Sequence, residues 1–426
     1  MVTNRSLVSP TSHPALERAL RDKLMRRAEK GGSLGELESL AIRLGLMQGS
    51  LKPRLRNPQL LLFAADHGLA VDGIHDRHGH STEQQVHMLL SNQLPLTVFA
   101  RAQGIQTLVV DCGMAVNLPP HERLLSRKIA YGTRNARVSA AMTMEQAHAA
   151  MRAGMEMGDQ LVGNVTILAG LGVGSHESAA LLLARLTDTP VRDLVVTGPH
   201  MDSDELAHLM VVLQGAQGRH RGLSEPIEVL AALGGFEVAV MVGVILMAAS
   251  KRHLLMVDGL PACAALMLAA RVAQPVTDYC LFCRSHGHRG LDQALNLFRA
   301  SALLELGMES TDGTGATLAW PLVHSAAALL TEVADGEDPG PTRPDELGHS
   351  SDKLSSPPSE RMPLSMAAGS AASLQSRQYS GPGSGSGSGS GASAPTAQPD
   401  SGRGSVRGAF QDSIRQPWGT DAGDSR

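Results

Sequence analysis

Four times along this chain a short aliphatic run stops at a glycine or a polar residue. Leu60–Ala65 (LLLFAA) ends at Asp66-His67-Gly68, and Thr107–Asp111 (TLVVD) ends at Cys112-Gly113. Val165–Leu168 (VTIL) runs into Gly170-Leu-Gly-Val-Gly174 and then a helical pattern over Ser178–Leu186. Leu254–Asp258 (LLMVD) ends at Gly259 and leads into the Ala-rich helix Ala262–Val272. Further helical spacing falls at Leu16–Arg27, Leu37–Met47, around Gln84–Arg101 and at Ala316–Ala334. Short strands alternating with longer helices predict an α/β architecture with a mostly parallel sheet. In such sheets ligands sit beyond the carboxyl ends of the strands. The breaks at Asp66–Gly68, Gly170–Gly174, Asp258-Gly259 and Asp312–Gly315 therefore mark the candidate site. The longest apolar run, Val238–Ala249, is flanked by Glu237 and Lys251. It is too short to span a bilayer and reads as a buried helix.

The composition sets the remaining bounds. Of 426 residues, 42% are apolar and 18% charged, a soluble globular balance. From Gly336 onward Gly, Ser and Pro dominate, and Gly381–Gly391 is almost pure Gly-Ser. Such a stretch buries too little apolar surface to offset its ordering entropy, so residues 336–426 are expected to be a disordered tail. Residues 1–335 are the folding body. The formal net charge is −4, and the tail carries 10 acidic and 8 basic residues, so no basic domain exists. That argues against nucleic acid and anionic membranes as partners. The N-terminal segment lacks the apolar core of a secretory signal. The four cysteines, Cys112, Cys263, Cys280 and Cys283, are too few for a disulfide framework. Both points predict a reducing, cytoplasmic setting.

Four constellations could carry chemistry. Gly170–Gly174 with Ser175-His176 lies between a strand and a helix, where backbone N–H groups bind phosphate and glycine lets it approach. Tight packing is the competing reading. Thr311-Asp-Gly-Thr-Gly315 places a carboxylate beside a glycine-lined helix start, suited to a general base or an anion site. A plain helix N-cap is the alternative. Asp66-His67 at a strand end could orient an imidazole or a substrate hydroxyl, or simply close a turn. His75-Asp-Arg-His-Gly-His80 holds three imidazoles, but without helical spacing, so a solvated or substrate-lining loop is expected rather than a metal site. Glu237, ahead of the long apolar run, reads as a first-turn acid complementing the helix dipole. Cys280 and Cys283 form a single C-x-x-C pair and read as buried apolar thiols.

Taken together, these pieces resemble one family. Gly32-Ser-Leu-Gly35 with Leu37-Glu38, Phe63–Gly68, Gly132-Thr-Arg-Asn135 with Ala141-Met-Thr143, Glu228–Glu237 (EVLAALGGFE), Val257-Asp-Gly259 and Gly313-Thr-Gly-Ala316 occur in this order. They look like the nicotinate-nucleotide–dimethylbenzimidazole phosphoribosyltransferases of cobalamin lower-ligand assembly, over about Leu24 to Val333. The resemblance implies a six-stranded parallel sheet in a large α/β domain, about 56–300. A small helical domain would be built from about 1–55 and 300–335. It implies a homodimer with no metal or redox cofactor. It also implies transfer of phosphoribosyl from nicotinate mononucleotide to 5,6-dimethylbenzimidazole, giving α-ribazole 5′-phosphate and nicotinate with inversion at the anomeric carbon. Such chemistry needs the phosphate held firmly and the benzimidazole N–H proton removed.

Carried over residue by residue, the resemblance makes Asp312 the general base, where the family has glutamate. It assigns phosphate or nucleotide binding to Gly172, Gly174, Ser175, Arg284, Gly313, Thr314 and Gly315. It assigns base binding to Asp66, His67, His75 and Ser81, with no metal. Gly170 stands where the family has a second glutamate, and Ser175-His176-Glu177 where it has Asn-Thr-Thr. His208 or Leu209 falls where it has a lysine. The family's Ser-His pair matches Cys283-Arg284, with Ser285-His286 two residues on. The alternative reading is a catalytically weak relative that binds a nucleotide or serves as a partner subunit, as in a heterodimer with a family paralogue. A zinc protein built on His75, His78, His80 and Cys280/Cys283 is the third.

Overall fold

The computed structural model describes residues 7–74, 79–195 and 201–333. The chain divides into two units, Met1–Gly340 and Pro341–Arg426, and every described residue belongs to the first. The tail expectation therefore lies outside the described residues.

Two helices open the unit: α1 (Pro14–Gly31), with Pro14 in its first turn, and α2 (Glu36–Gln48), which ends at Gly49 in the left-handed conformation. The first strand, β1 (Gln59–Ala65), is buried along its whole length. The single helix expected around Gln84–Arg101 is two: α3 (Thr82–Leu90) and α4 (Pro95–Ala102). Pro95 has no N–H to continue a helix and disfavours helical geometry before it, and Asn92 adopts a positive φ of 56°. The chain continues through β2 (Gln106–Gly113), β3 (Leu124–Ser126), α5 (Met144–Asp159), β4 (Val165–Leu171) and α6 (Ser175–Thr187). Next come α7 (Ser203–Arg219), α8 (Pro226–Leu233), α9 (Phe236–Ser250) and β5 (Leu254–Asp258). The last elements are α10 (Leu260–Val272), β6 (Cys280–Cys283), α11 (Arg289–Leu297) and α12 (Thr314–Thr331).

The six strands form one parallel sheet in the order β3-β2-β1-β4-β5-β6. Strands β1, β4, β5 and β6 are buried at every position, so helices cover both faces. That is why they read as continuous aliphatic runs without alternation. The expected α/β class with a six-stranded parallel sheet is what the structure has. Helices from both ends of the unit also meet, since α1 and α2 pack together and α2 packs on α12. The Arg27 guanidinium donates to the Leu329 carbonyl across that junction.

Helix α9, the run expected to be buried, is apolar on nearly every side and packs most extensively on α5. The crossing is close: a Cβ at Gly154 would stand 2.0 Å from the Val240 carbonyl oxygen. This contact fixes α9 and so the position of Glu237 at its start. No described helix is long and apolar enough to cross a membrane.

The four cysteines are buried and free. Burial pushes the Cys280 thiol up to about 12 and raises Cys112, Cys263 and Cys283 as well. Cys280 and Cys283 lie three residues apart on one strand, which points them to opposite sheet faces. The C-x-x-C pair therefore does not converge on a metal, and His75 and His78 lie outside the described residues.

Candidate active site

The carboxyl ends of β1, β4, β5 and β6, together with the start of α12, bring the singled-out breaks to one rim of the sheet. At the end of β1, Asp66 is held by its backbone and side chain. Its carbonyl accepts from Thr133 N, and its Oδ2 accepts from Ala115 N at 2.7 Å. Gly68 N donates to Thr133 Oγ1 at 3.1 Å, so the Gly132–Asn135 segment buttresses this turn. The bond to Ala115 comes from 49 residues away, which replaces the local Asx turn as the account of Asp66.

The turn from β4 to α6 is shaped by close contacts. Gly172 has a φ of +133°, and a Cβ there would stand 2.0 Å from the Ala65 carbonyl oxygen. Val173 N donates to Thr82 Oγ1 at 3.1 Å, tying the turn to the start of α3. Helix α6 begins after Gly174 with no side chain capping its first N–H groups. Packing thus accounts for the glycines, while the uncapped amides retain the capacity to hold an anion. A side chain at Gly170 would start 2.4 Å from Pro261 Cβ, so this chain has no room there for a carboxylate.

Asp312 is at the centre of one cluster. Its side chain is 1% exposed, and its Oδ2 lies 3.0 Å from His176 Nε2. Its other oxygen, Oδ1, lies 2.9 Å from His286 Nε2. Burial alone would raise this carboxyl, but the two imidazoles more than offset it and hold Asp312 well below the usual carboxylate range. His176 and His286 rings stand 5.7 Å apart edge to face, with the His288 ring 6.3 Å from the first and 5.7 Å from the second. Asp312 is therefore not a helix cap. The cap of α12 is Gly313, without a side-chain bond.

Asp258 supports this cluster from β5. Its Oδ2 accepts from Ser285 Oγ and from Ala316 N, both at 2.8 Å, and Ser285 Oγ accepts from Gly315 N at 2.9 Å. Burial first, and then the nearby Asp312 charge, push the Asp258 carboxyl up to about 6. The network locks the start of α12 to the ends of β5 and β6. Gly259 must be glycine here, because a Cβ would stand 2.0 Å from Asp312 Oδ2.

Glu237 is at the centre of a second cluster. Its Oε1 lies 3.0 Å from His67 Nε2 and accepts from Ser175 Oγ at 3.0 Å. The two side chains of the ion pair are 1% and 0% exposed. Burial would lower the His67 imidazole, but the Glu237 carboxylate more than offsets it and raises the pKa. Glu237 does occupy the first turn of α9, yet its partners show a role beyond complementing the dipole.

The structure thus gathers Asp66, His67, Gly172, Gly174, Ser175, Arg284, Gly313, Thr314 and Gly315 with Asp312 around the rim. Several are already engaged. Gly315 N–H goes to Ser285, and Thr314 N and Oγ1 go to the Thr311 carbonyl. Arg284 reaches Asp292 at 2.8 Å and Glu305 at 3.2 Å. Ser81 caps α3 in a reciprocal bond with Gln84, while His75 lies outside the described residues. His208 bonds the Asp72 carbonyl oxygen at 2.6 Å. The sequence reading places Asp258 and His176 in breaks at the rim and Ser285-His286 beside the family's Ser-His match, but it gives none of the four a role in the reaction. Their sequence signal is polarity after a strand, with Asp258 also inside the Val257-Asp-Gly259 motif.

Asp312, His176 and His286 offer three donor atoms within 4.8 Å of one another, a set that could close on a cation. His176 Nε2 is hydrogen-bonded to Oδ2, whereas His286 Nε2 and Oδ1, 2.9 Å apart, do not meet in hydrogen-bond geometry. A cavity of about 160 Å³ opens beside His286, lined by Arg284, Gly287 and residues 305–308. A larger groove of about 420 Å³, lined by Pro58, Gly104, Trp320 and His324, lies at the opposite end of the sheet, where the loops enter β1 and β2. It is remote from the titratable clusters.

Comparison with known proteins gives a consistent result. Residues 9–340 match a family described as phosphoribosyltransferase. A nicotinate-nucleotide–dimethylbenzimidazole phosphoribosyltransferase of Cupriavidus taiwanensis is 41% identical over 328 residues, covering 75% of this chain and 92% of that protein. A protein of the same name from Variovorax paradoxus is 38% identical over 338 residues, covering 79% and 97%. The crystal structure of the enzyme of that name from Thermus thermophilus superposes with a TM-score of 0.68 at 30% identity, covering 75% of this chain and 96% of that one.

Proposed function

The chain belongs to the nicotinate-nucleotide–dimethylbenzimidazole phosphoribosyltransferase family, and we propose from this premise how its rim performs that reaction. The enzyme transfers phosphoribosyl from nicotinate mononucleotide to 5,6-dimethylbenzimidazole, giving α-ribazole 5′-phosphate and nicotinate in cobalamin nucleotide-loop synthesis. The observation that carries the reading is the buried Asp312 carboxylate at the carboxyl edge of a parallel sheet, clamped by two imidazoles.

One acceptor ring nitrogen attacks the anomeric carbon as the bond to the pyridinium nitrogen breaks. That electron pair returns to nicotinate, which leaves as a neutral ring and needs no acid. The proton to be removed sits on the other acceptor nitrogen, and Asp312 supplies the carboxylate that drives its loss. The phosphate is held at the β4–α6 turn by Gly172, Gly174 and the N-terminus of α6, where Ser175 braces the turn through its bond to Glu237. Gly313, Thr314 and Gly315 shape the floor. Arg284 joins the phosphate by exchanging its contacts with Asp292 and Glu305. The base is bound by Asp66 and Ser81, and His67, sealed against Glu237, supports that wall. The reading places the enzyme in the cytoplasm as a homodimer, with the helical ends of the body forming the smaller of two domains.

The test is direct. Purified protein is incubated with nicotinate mononucleotide and 5,6-dimethylbenzimidazole, and nicotinate and α-ribazole phosphate are followed by chromatography. Equimolar appearance of both products is expected. Folded protein that yields neither would move the reading to a nucleotide-binding or partner subunit.

A further inference from the structure

We propose that Asp312, His176 and His286 form a binding site for a divalent ion of the zinc class, and that an ion seated there switches the transferase off. The site stands on geometry, and its effect on turnover rests on the phosphoribosyl-transfer reading above. Its residues differ from those of the zinc reading drawn from the sequence, which used His75, His78, His80 and the cysteine pair.

The donor set comes first. One atom from each of the three side chains lies within 4.8 Å of the other two. Asp312 approaches His176 Nε2 at 3.0 Å and His286 Nε2 at 2.9 Å. Ligands about 2.1 Å from a tetrahedral zinc stand roughly 3.4 Å apart, so small side-chain shifts close this cluster on an ion. Two imidazoles and a carboxylate suit zinc and its neighbouring transition ions, whereas magnesium and calcium take oxygen donors. Three protein ligands leave the fourth position to water.

Unsatisfied polarity is the second observation. Asp312 Oδ1 and His286 Nε2 are both buried, and neither has a hydrogen-bond partner in the protein although they stand 2.9 Å apart. Buried polar atoms without partners cost free energy, which an ion between them recovers. A second carboxylate is close by. Asp258 precedes the glycine against which Asp312 packs, and its Oδ1 is buried and unpartnered too. Two buried acids in one place favour a cation.

The surroundings complete the site. Glu309 Oε1 accepts from Gly287 N at 3.1 Å, and its Oε2 stands 3.6 Å from His286 Nδ1. A carboxylate in that place orients a ligating imidazole from its other nitrogen. The cavity of about 160 Å³ beside His286 supplies a way in. In the reading above, Asp312 draws off the acceptor's proton. An ion coordinated to that carboxylate displaces its hydrogen bond with His176 and takes up its charge, so the proton has nowhere to go.

The test uses the whole chain, stripped with a chelator and titrated with zinc chloride against a chromophoric competitor. One zinc per chain is expected, with a Kd near or below about 1 μM, and zinc should raise the melting temperature. Cobalt(II) chloride should give the visible bands of a four-coordinate ion. Turnover of the stripped protein should fall about 100-fold at saturating zinc and return on adding chelator. His286→Gln and His176→Gln, each checked for folding by thermal melting, should weaken zinc about 100-fold or more. His324→Gln, at the remote groove, should bind zinc as wild type does. The site is overturned if wild type binds no zinc, or if both cluster variants bind it unchanged. The switch is overturned if zinc binds without slowing turnover, or if turnover requires it. If wild type binds zinc as described yet makes no product without it, the reading beneath fails while the site stands.

Discussion

Two carboxylates are buried at the same rim, each against an imidazole at 3.0 Å, and the difference between them is what reaches the histidine. Glu237 and His67 are both sealed, at 0% and 1% exposure, and Ser175 completes their bonding. Asp312 is equally buried, but its partner His176 is 30% exposed. The sealed pair joins α9, the end of β1 and the start of α6, so it acts as a clamp. The open pair joins the starts of α6 and α12, and its imidazole is partly exposed. Burying an acid is thus common to both. Exposure of the imidazole separates a structural pair from a chemical one.

The largest expected effect breaks the open cluster. Asp312→Asn should lower kcat by about a thousand-fold or more, measured by product formation, because the carboxylate that supports proton removal is gone. Breaking the sealed cluster should act on stability instead. Glu237→Gln leaves a buried imidazole without its anion and should cost about 3 kcal/mol in denaturant unfolding. Gly172→Ala forces a side chain into a left-handed φ against the Ala65 carbonyl. A loss of about 2 kcal/mol or more is expected by the same measurement. Ser175→Ala removes one bond to Glu237 and should cost about 1 kcal/mol.

The smallest effect sharpens the comparison through pH. Asp312 titrates below its unfolded value, so its contribution to stability is present above about pH 4 and is lost as pH falls through the folded pKa. Asp258 has the opposite sign. Its carboxyl is raised to about 6, so it opposes folding increasingly from about pH 4 up through 6. Because the Asp312 charge contributes to that shift, Asp312→Asn should lower the Asp258 midpoint, read by carboxyl NMR titration. An unmoved midpoint would mean that burial alone sets it.

Most of the fold is legible in the sequence because it rests on local pattern. Buried parallel strands show as unbroken aliphatic runs, and β1, β2, β4 and β5 each overlap an expected run. The helix expected through Asn92–Pro95 fails there because Asn92 takes a positive φ and Pro95 opens a second helix. Strand β6 is only four residues long, too short for periodicity to register. The site is half legible. Asp312 stands out beside Gly313-Thr-Gly315, but its partner His176 lies 136 residues away in sequence. Glu237 is visible as the charge at the head of an apolar helix, yet its partner His67 is 170 residues distant. Side-chain pairing across such separations leaves no mark on local periodicity; the order of the strands creates it.

The division of labour between the two clusters has one direct measurement. Single-turnover rate and unfolding free energy are determined together for Asp312→Asn and Glu237→Gln. The account predicts that Asp312→Asn folds and loses the chemical step, while Glu237→Gln loses stability and its remaining folded fraction keeps most of its rate. A fully stable Glu237→Gln that makes no product, beside an Asp312→Asn that does, would contradict it.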